Sequence, residues 1–126
     1  MKKSEVARMD LDGVMDEALR NGPGAVAIAC ADVRAGFVLG ASAVGDAERE
    51  EASDAATRVA QLCAAPSGGA EADTAGALVS SSWIHAYARV SRRPELVVVG
   101  VACGEASPEL LLDWVKRVAG GLEAAR

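Results

Sequence analysis

Leu96-Val97-Val98-Val99-Gly100-Val101-Ala102 is the stretch that most restricts the fold. Successive side chains of a strand point to opposite faces, so a run that is apolar at both parities needs cover on both sides. The run is far shorter than the roughly 20 apolar residues of a membrane span. A chain that carries it must set a central strand between two layers, and the rest of the sequence has to supply them.

The helical layers are legible by their period. Leu11, Val14, Met15, Ala18 and Leu19 form one apolar stripe, with Asp10 or Ser4 placed to cap its start. Asn21-Gly22-Pro23-Gly24 stops it, because Gly accepts the left-handed cap and Pro cannot continue a helix. From Asp46 to Ala65 the period returns, with Ala52, Ala55, Ala56, Val59, Leu62 and Cys63 on one side. A third helix opens at Ser107-Pro108-Glu109, where Ser suits the cap, Pro the first helical position and Glu the positive end of the dipole. Its stripe is Leu111, Trp114, Val115, Val118 and Leu122.

Strands fill the intervals. Ala25 to Ala31 and Phe37 to Ser42 are short apolar runs, joined by the hairpin-type loop Asp32-Val33-Arg34-Ala35-Gly36. Pro66 to Gly76 has no periodicity and is read as a loop. Ala77 to Ser80 is a short strand, and Trp83 to Val90 alternates cleanly. Ser91-Arg92-Arg93-Pro94 then turns the chain into the Glu95 to Ala102 run. The expectation is an α+β fold, α-β-β-α-β-β-β-α, forming one domain over residues 1–126. Its five-stranded antiparallel sheet has the order 2-1-5-4-3, with helices on both faces. The second and third strands are then edges, and Ala77 to Ser82 holds neither proline nor charge to block pairing with another chain.

Composition narrows the function. Hydrophobic residues make up 51% of the chain but aromatics only 3%, so the core is built from Ala, Val and Leu. Small side chains require close approach of helix and sheet, or a second copy to cover part of the apolar surface. The net charge of −5 opposes nucleic acid, whose phosphates demand a clustered positive face. Met1 to Asp10 is charged throughout, unlike a signal peptide, and a cytoplasmic location is expected.

Chemistry finds little to work with. Cys30, Cys63 and Cys103 are expected to be reduced core thiols. Neither C-x-x-C nor H-x-x-x-H spacing marks a metal site, so no metal and no cofactor are expected. No G-x-x-x-x-G-K-[ST], G-x-G-x-x-G or G-x-S-x-G motif is present. His85, with Ser80, Ser81 and Ser82 close in sequence, makes a poor hydrolase, since neighbours on one strand seldom converge on a reacting atom. The chain reads as a binding protein, not an enzyme.

Three stretches carry a family resemblance: AVAIACADVRAGFVLG, ALVSSSWIHAYARV and ELVVVGVACGEASPELLLDWVKRVA. In element order, over nearly the whole chain, they resemble the roadblock/LC7 domain. The loop around Arg34-Ala35 and the Gly68 to Gly76 loop are longer than that pattern. The resemblance implies a homodimer in which the second helices pair and the third strands join two sheets into one. It also implies a scaffold or regulator of a small Ras-like GTPase. The expected dimer interface is Ala52, Ala55, Ala56 and Val59 of the second helix with Leu78 and Ser80 of the third strand.

The expected partner-binding face comes from alternation. Trp83, His85, Tyr87 and Arg89 share one face of the fourth strand, and Ile84, Ala86, Ala88 and Val90 the other. Trp, Tyr and Arg are enriched in binding hot spots. The bland alternative is that these side chains simply pack beneath the second helix. A sensor domain of the profilin, PAS or GAF type is the competing architecture; it would have to cover the third-strand edge instead of pairing it.

Overall fold

The computed structural model describes residues 2–64, 75–79, 82–91 and 93–124, with side chains at 11–63, 75–79, 82–91 and 93–122. The order is α1 (Lys2–Arg20), β1 (Ala25–Asp32), β2 (Phe37–Ala43), α2 (Asp46–Ala64), β3 (Ala75–Val79), β4 (Trp83–Val90), β5 (Arg93–Cys103) and α3 (Pro108–Ala124). The five strands form one antiparallel sheet in the order β2-β1-β5-β4-β3. Fold class and strand order agree with the sequence. Ser4 and Asp10 fall inside α1, so neither caps it.

Strand parity divides the interior in two. On one face Ile28, Cys30, Ile84, Val98 and Ala102 meet Met15 of α1 and Leu111, Trp114 and Val115 of α3. On the other, Ala27, Ala29, Ala31, Val97, Val99 and Val101 meet Ala52, Ala55, Ala56, Val59 and Ala60 of α2. The second layer is alanine against alanine across the middle of the sheet. Side chains this small let α2 settle close to β1, β2 and β5, which is how a chain nearly without aromatics closes its interior.

Trp114 is accommodated by two glycines. A Cβ on Gly22 would lie 2.8 Å from its Cζ2, and a Cβ on Gly100 would lie 2.9 Å from its Cζ3. The indole therefore wedges α3 between the α1–β1 turn and β5. At that turn Asn21 and Gly22 donate to the Ala18 and Leu19 carbonyls, and Gly24 adopts φ 75°. Ser107 caps α3 as expected, its Oγ accepting from the Leu110 amide at 3.2 Å.

The two sheet edges are treated differently. Just past β2 the Val44 amide donates to the Val26 carbonyl, and alternation back along the strand turns the Ala41 amide away from β1. Asp12 of α1 meets it there, accepting through Oδ1 at 3.1 Å. That carboxylate blunts the β2 edge. Along β3, Ala77, Leu78 and Val79 are exposed. Ser80, placed by sequence at this edge, lies outside the described residues.

Candidate functional site

α2 lies over β2, β1 and β5, so among the described residues no helix covers β4 and β3 on that side of the sheet. The floor of this bare half is the odd-numbered face of β4. Trp83, His85, Tyr87 and Arg89 are all half-buried there, and register places Leu78 of β3 beside His85. These four expected partner-binding residues do share one face, on the side of α2. Trp83 and Tyr87 also lean on the alanine cluster beneath α2. Tyr87 extends over β3 as well, where a Cβ on Gly76 would stand 3.0 Å from its ring and hydroxyl.

One polar contact ties the floor to the helix. His85 Nε2 lies 2.8 Å from Glu51 Oε2, with 14% and 26% of the two side chains exposed. The pair spans 34 residues of sequence, so it exists only because α2 and β4 have these positions. At the other end of β4, Arg89 donates from Nη2 to the Pro94 carbonyl, holding the β4–β5 turn. Its Nε is buried and has no hydrogen-bond partner among the described residues. Arg89 also reaches towards Cys63 at the end of α2. Burial raises the thiol of Cys63, and the Arg89 charge partly offsets that. Arg92 lies outside the described residues.

The wall of the bare half is the flank of α2 that carries Glu51. At about 100° per residue, Arg58 and Leu62 fall on the same flank, two and three turns further on. Both are exposed, and Leu62 reaches 68%. On β3, Leu78 at 62% and Val79 at 64% are exposed too, Leu78 on the face of His85 and Val79 on the face of Ile84.

Burial bears on two expectations. Ala52, Ala55, Ala56 and Val59 are at most 8% exposed in the single chain, because its own sheet covers them. These four face inward, and the surface α2 offers is the Glu51–Arg58–Leu62 flank. The sequence period groups Leu62 with the inward stripe, but its angular position puts it on the outer flank. The thiols also differ from one another: Cys30 is buried, Cys63 half-buried and Cys103 exposed at the last position of β5. Among the described residues no cluster of His, Cys, Asp and Glu could hold a metal ion, and no helix is long and apolar enough to cross a membrane.

A cleft of about 250 Å³ opens where β3 and β4 meet α3, lined by Ala75, Ala88, Ser91 and Lys116 and by Arg89 of the face just described. It is small, and Arg89, Ser91 and Lys116 supply its polar side chains.

No protein-family model and no curated protein sequence matches the chain. Solved structures do. Myxococcus xanthus MglB superposes with a TM-score of 0.71 at 16% identity, covering 92% of this chain and 86% of that one. The gliding protein MglB of Thermus thermophilus gives 0.67 at 19% identity, over 92% and 87%. A roadblock/LC7 domain from Streptomyces avermitilis gives 0.63 at 15% identity, over 90% and 94%. These matches cover nine-tenths of the chain, which has the fold of the roadblock/LC7 domain.

Proposed function

We propose that the protein is a homodimeric adaptor that regulates a small Ras-like GTPase, as scaffold or as co-regulator of GTP hydrolysis. The observation that carries this is the bare half-sheet: among the described residues no helix covers β4 and β3 on the α2 side, and it ends at an edge bearing Leu78 and Val79. A second copy joined edge to edge at β3 would extend the sheet and remove the exposed aliphatic surface from water. The opposite edge is poorly suited, since Asp12 already occupies the Ala41 amide.

The GTPase follows from the family resemblance and agrees with the fold shared with the two MglB proteins. Trp83, Tyr87 and Arg89 supply the large amphipathic side chains that anchor protein interfaces, on a face that no helix of the same chain fully covers. Cytoplasmic residence belongs to the same proposal, because small GTPases work there.

The test is titration calorimetry against Ras-like GTPases from the same genome, each loaded with GDP or with a non-hydrolysable GTP analogue. Binding of one nucleotide state, weakened by Trp83→Ala without loss of the fold, is the expected result. Absence of binding in either state, by every such GTPase, would remove the GTPase from the proposal and leave the dimer to be judged alone.

A further inference from the structure

We propose that Asp12 is an autoinhibitory contact on the β2 edge, where it holds that edge closed to strand addition by a further copy of this chain. The inference rests on the homodimer reading above and adds what stops assembly at two copies.

The β2 sequence gives its edge no guard of its own. Phe37-Val38-Leu39-Gly40-Ala41-Ser42-Ala43 contains neither proline nor charge, and an unblocked edge strand is a template for pairing. Large apolar side chains stand exposed at both ends of it, Phe37 at 54% and Val44 at 66%. Cys30 pairs with Gly40 and Ala31 with Val38, so Leu39 bulges out of the ladder between them. Beyond the bulge the strand is regular. By alternation from Val44, the Ala41 and Ala43 amides point outward, away from β1. This short stretch, Gly40 to Val44, is where a further strand would join.

The guard comes from another element. Asp12 Oδ1 accepts from the Ala41 amide at 3.1 Å, taking the position that a carbonyl of an added strand would need. Gly40 makes this reach possible, because a Cβ there would stand 3.2 Å from both Asp12 Oδ1 and Leu11 Cβ. α1 therefore lies directly on the strand, and the fully buried Met15 fixes it there. Neighbouring strands run about 4.8 Å apart, so an added strand and the Asp12 side chain cannot occupy the edge together. The consequence is one of closure. A chain with two open edges can grow without end, because each copy added at one edge presents another. With β2 closed by Asp12, an isologous β3 contact consumes the open edge of each copy, and the assembly is complete.

The experiment removes the carboxylate and reads size by sedimentation velocity. Asp12→Ala should form species larger than wild type that grow with concentration, while circular dichroism stays that of the folded protein. In dilute solution its Ala41 amide should exchange with deuterium about tenfold faster than in wild type, because the acceptor is gone. Asp12→Asn, which keeps an oxygen for that amide, should hold the wild-type size and protection. Adding Phe37→Lys to Asp12→Ala should restore the wild-type size, since a lysine on the edge opposes strand addition. Three results would each overturn the proposal and leave the homodimer standing: wild-type size at every concentration in Asp12→Ala, unchanged exchange at Ala41, or growth that persists with Phe37→Lys. A monomeric wild type overturns the homodimer, and exchange at Ala41 then decides the guard by itself.

Discussion

Gly100→Ala probes whether α3 sits as closely on β5 as the structure requires. Gly100 has ordinary strand geometry, so the substitution introduces no backbone strain and acts through its new methyl group. That methyl would stand 2.8 Å from Val115 Cγ2 and 2.9 Å from Trp114 Cζ3, both well inside contact distance. Val115 is fully buried and Trp114 is 3% exposed, and the far side of the indole already abuts Gly22. Neither neighbour has free space, and overpacking of this kind costs about 1–3 kcal/mol. Reduced freedom of the unfolded chain returns about 0.5–1 kcal/mol, which leaves a net loss of about 0.5–2 kcal/mol. For a domain of this size that corresponds to a Tm lower by about 2–10 °C. The assay is urea and thermal unfolding at matched protein concentration, with an unchanged m-value showing that the native state is otherwise intact. Combined with Trp114→Phe, which shortens the ring, the double variant should lose about 1 kcal/mol less than the sum of the single changes. Unchanged or raised stability in Gly100→Ala would refute the reasoning.

Leu78→Asp, on an exposed β3 side chain, should leave the monomer within about 0.5 kcal/mol of wild-type stability yet raise the dimer dissociation constant more than about tenfold, measured by unfolding and sedimentation side by side. Ala56→Glu should fail in a different way: the residue is fully buried between α2 and the sheet. Its carboxylate would have no partner, and circular dichroism should show a fold weakened by more than about 3 kcal/mol, not an intact monomer. Thiol chemistry gives a pH test. Burial, helped by the Asp32 carboxylate, pushes the Cys30 thiol up to about 12 from an ordinary 9.0, so the unfolded chain releases this proton first as pH rises. Stability should therefore fall by about 1.4 kcal/mol per pH unit between those two values, and Cys30→Ala should remove that share of the slope. At pH 8 iodoacetamide should label Cys103 promptly and leave Cys30 unmodified until the protein unfolds, as mass spectrometry would show.

How far the sequence reaches depends on what each feature needs. Element order follows from local periodicity, and the buried β5 run forces a two-layer arrangement, so the strand order is readable. The start of β3 is not, because Ala75 and Gly76 look like loop residues. Gly76 belongs in a strand only because the Tyr87 ring covers it, and that is a tertiary fact. The alanine stripe of α2 reads as a dimer surface because a small-residue face suits close contact with any partner. Ala27, Ala29 and Ala31 of β1 supply that partner within the chain, which no helical period reveals. Glu51 is silent in the sequence for a related reason: its meaning depends on His85, and their contact requires the α2-to-β4 placement. The position of Leu62 is legible, since its angle matches that of Glu51 more closely than that of Ala56.

Light scattering of the purified wild-type protein across a wide concentration range bears most directly on the central claim that the β3 edge is covered by a second copy. The account predicts a mass near twice 12.8 kDa, falling towards a single chain only on dilution. A mass of 12.8 kDa at every concentration would contradict it and leave the bare half-sheet without its proposed occupant.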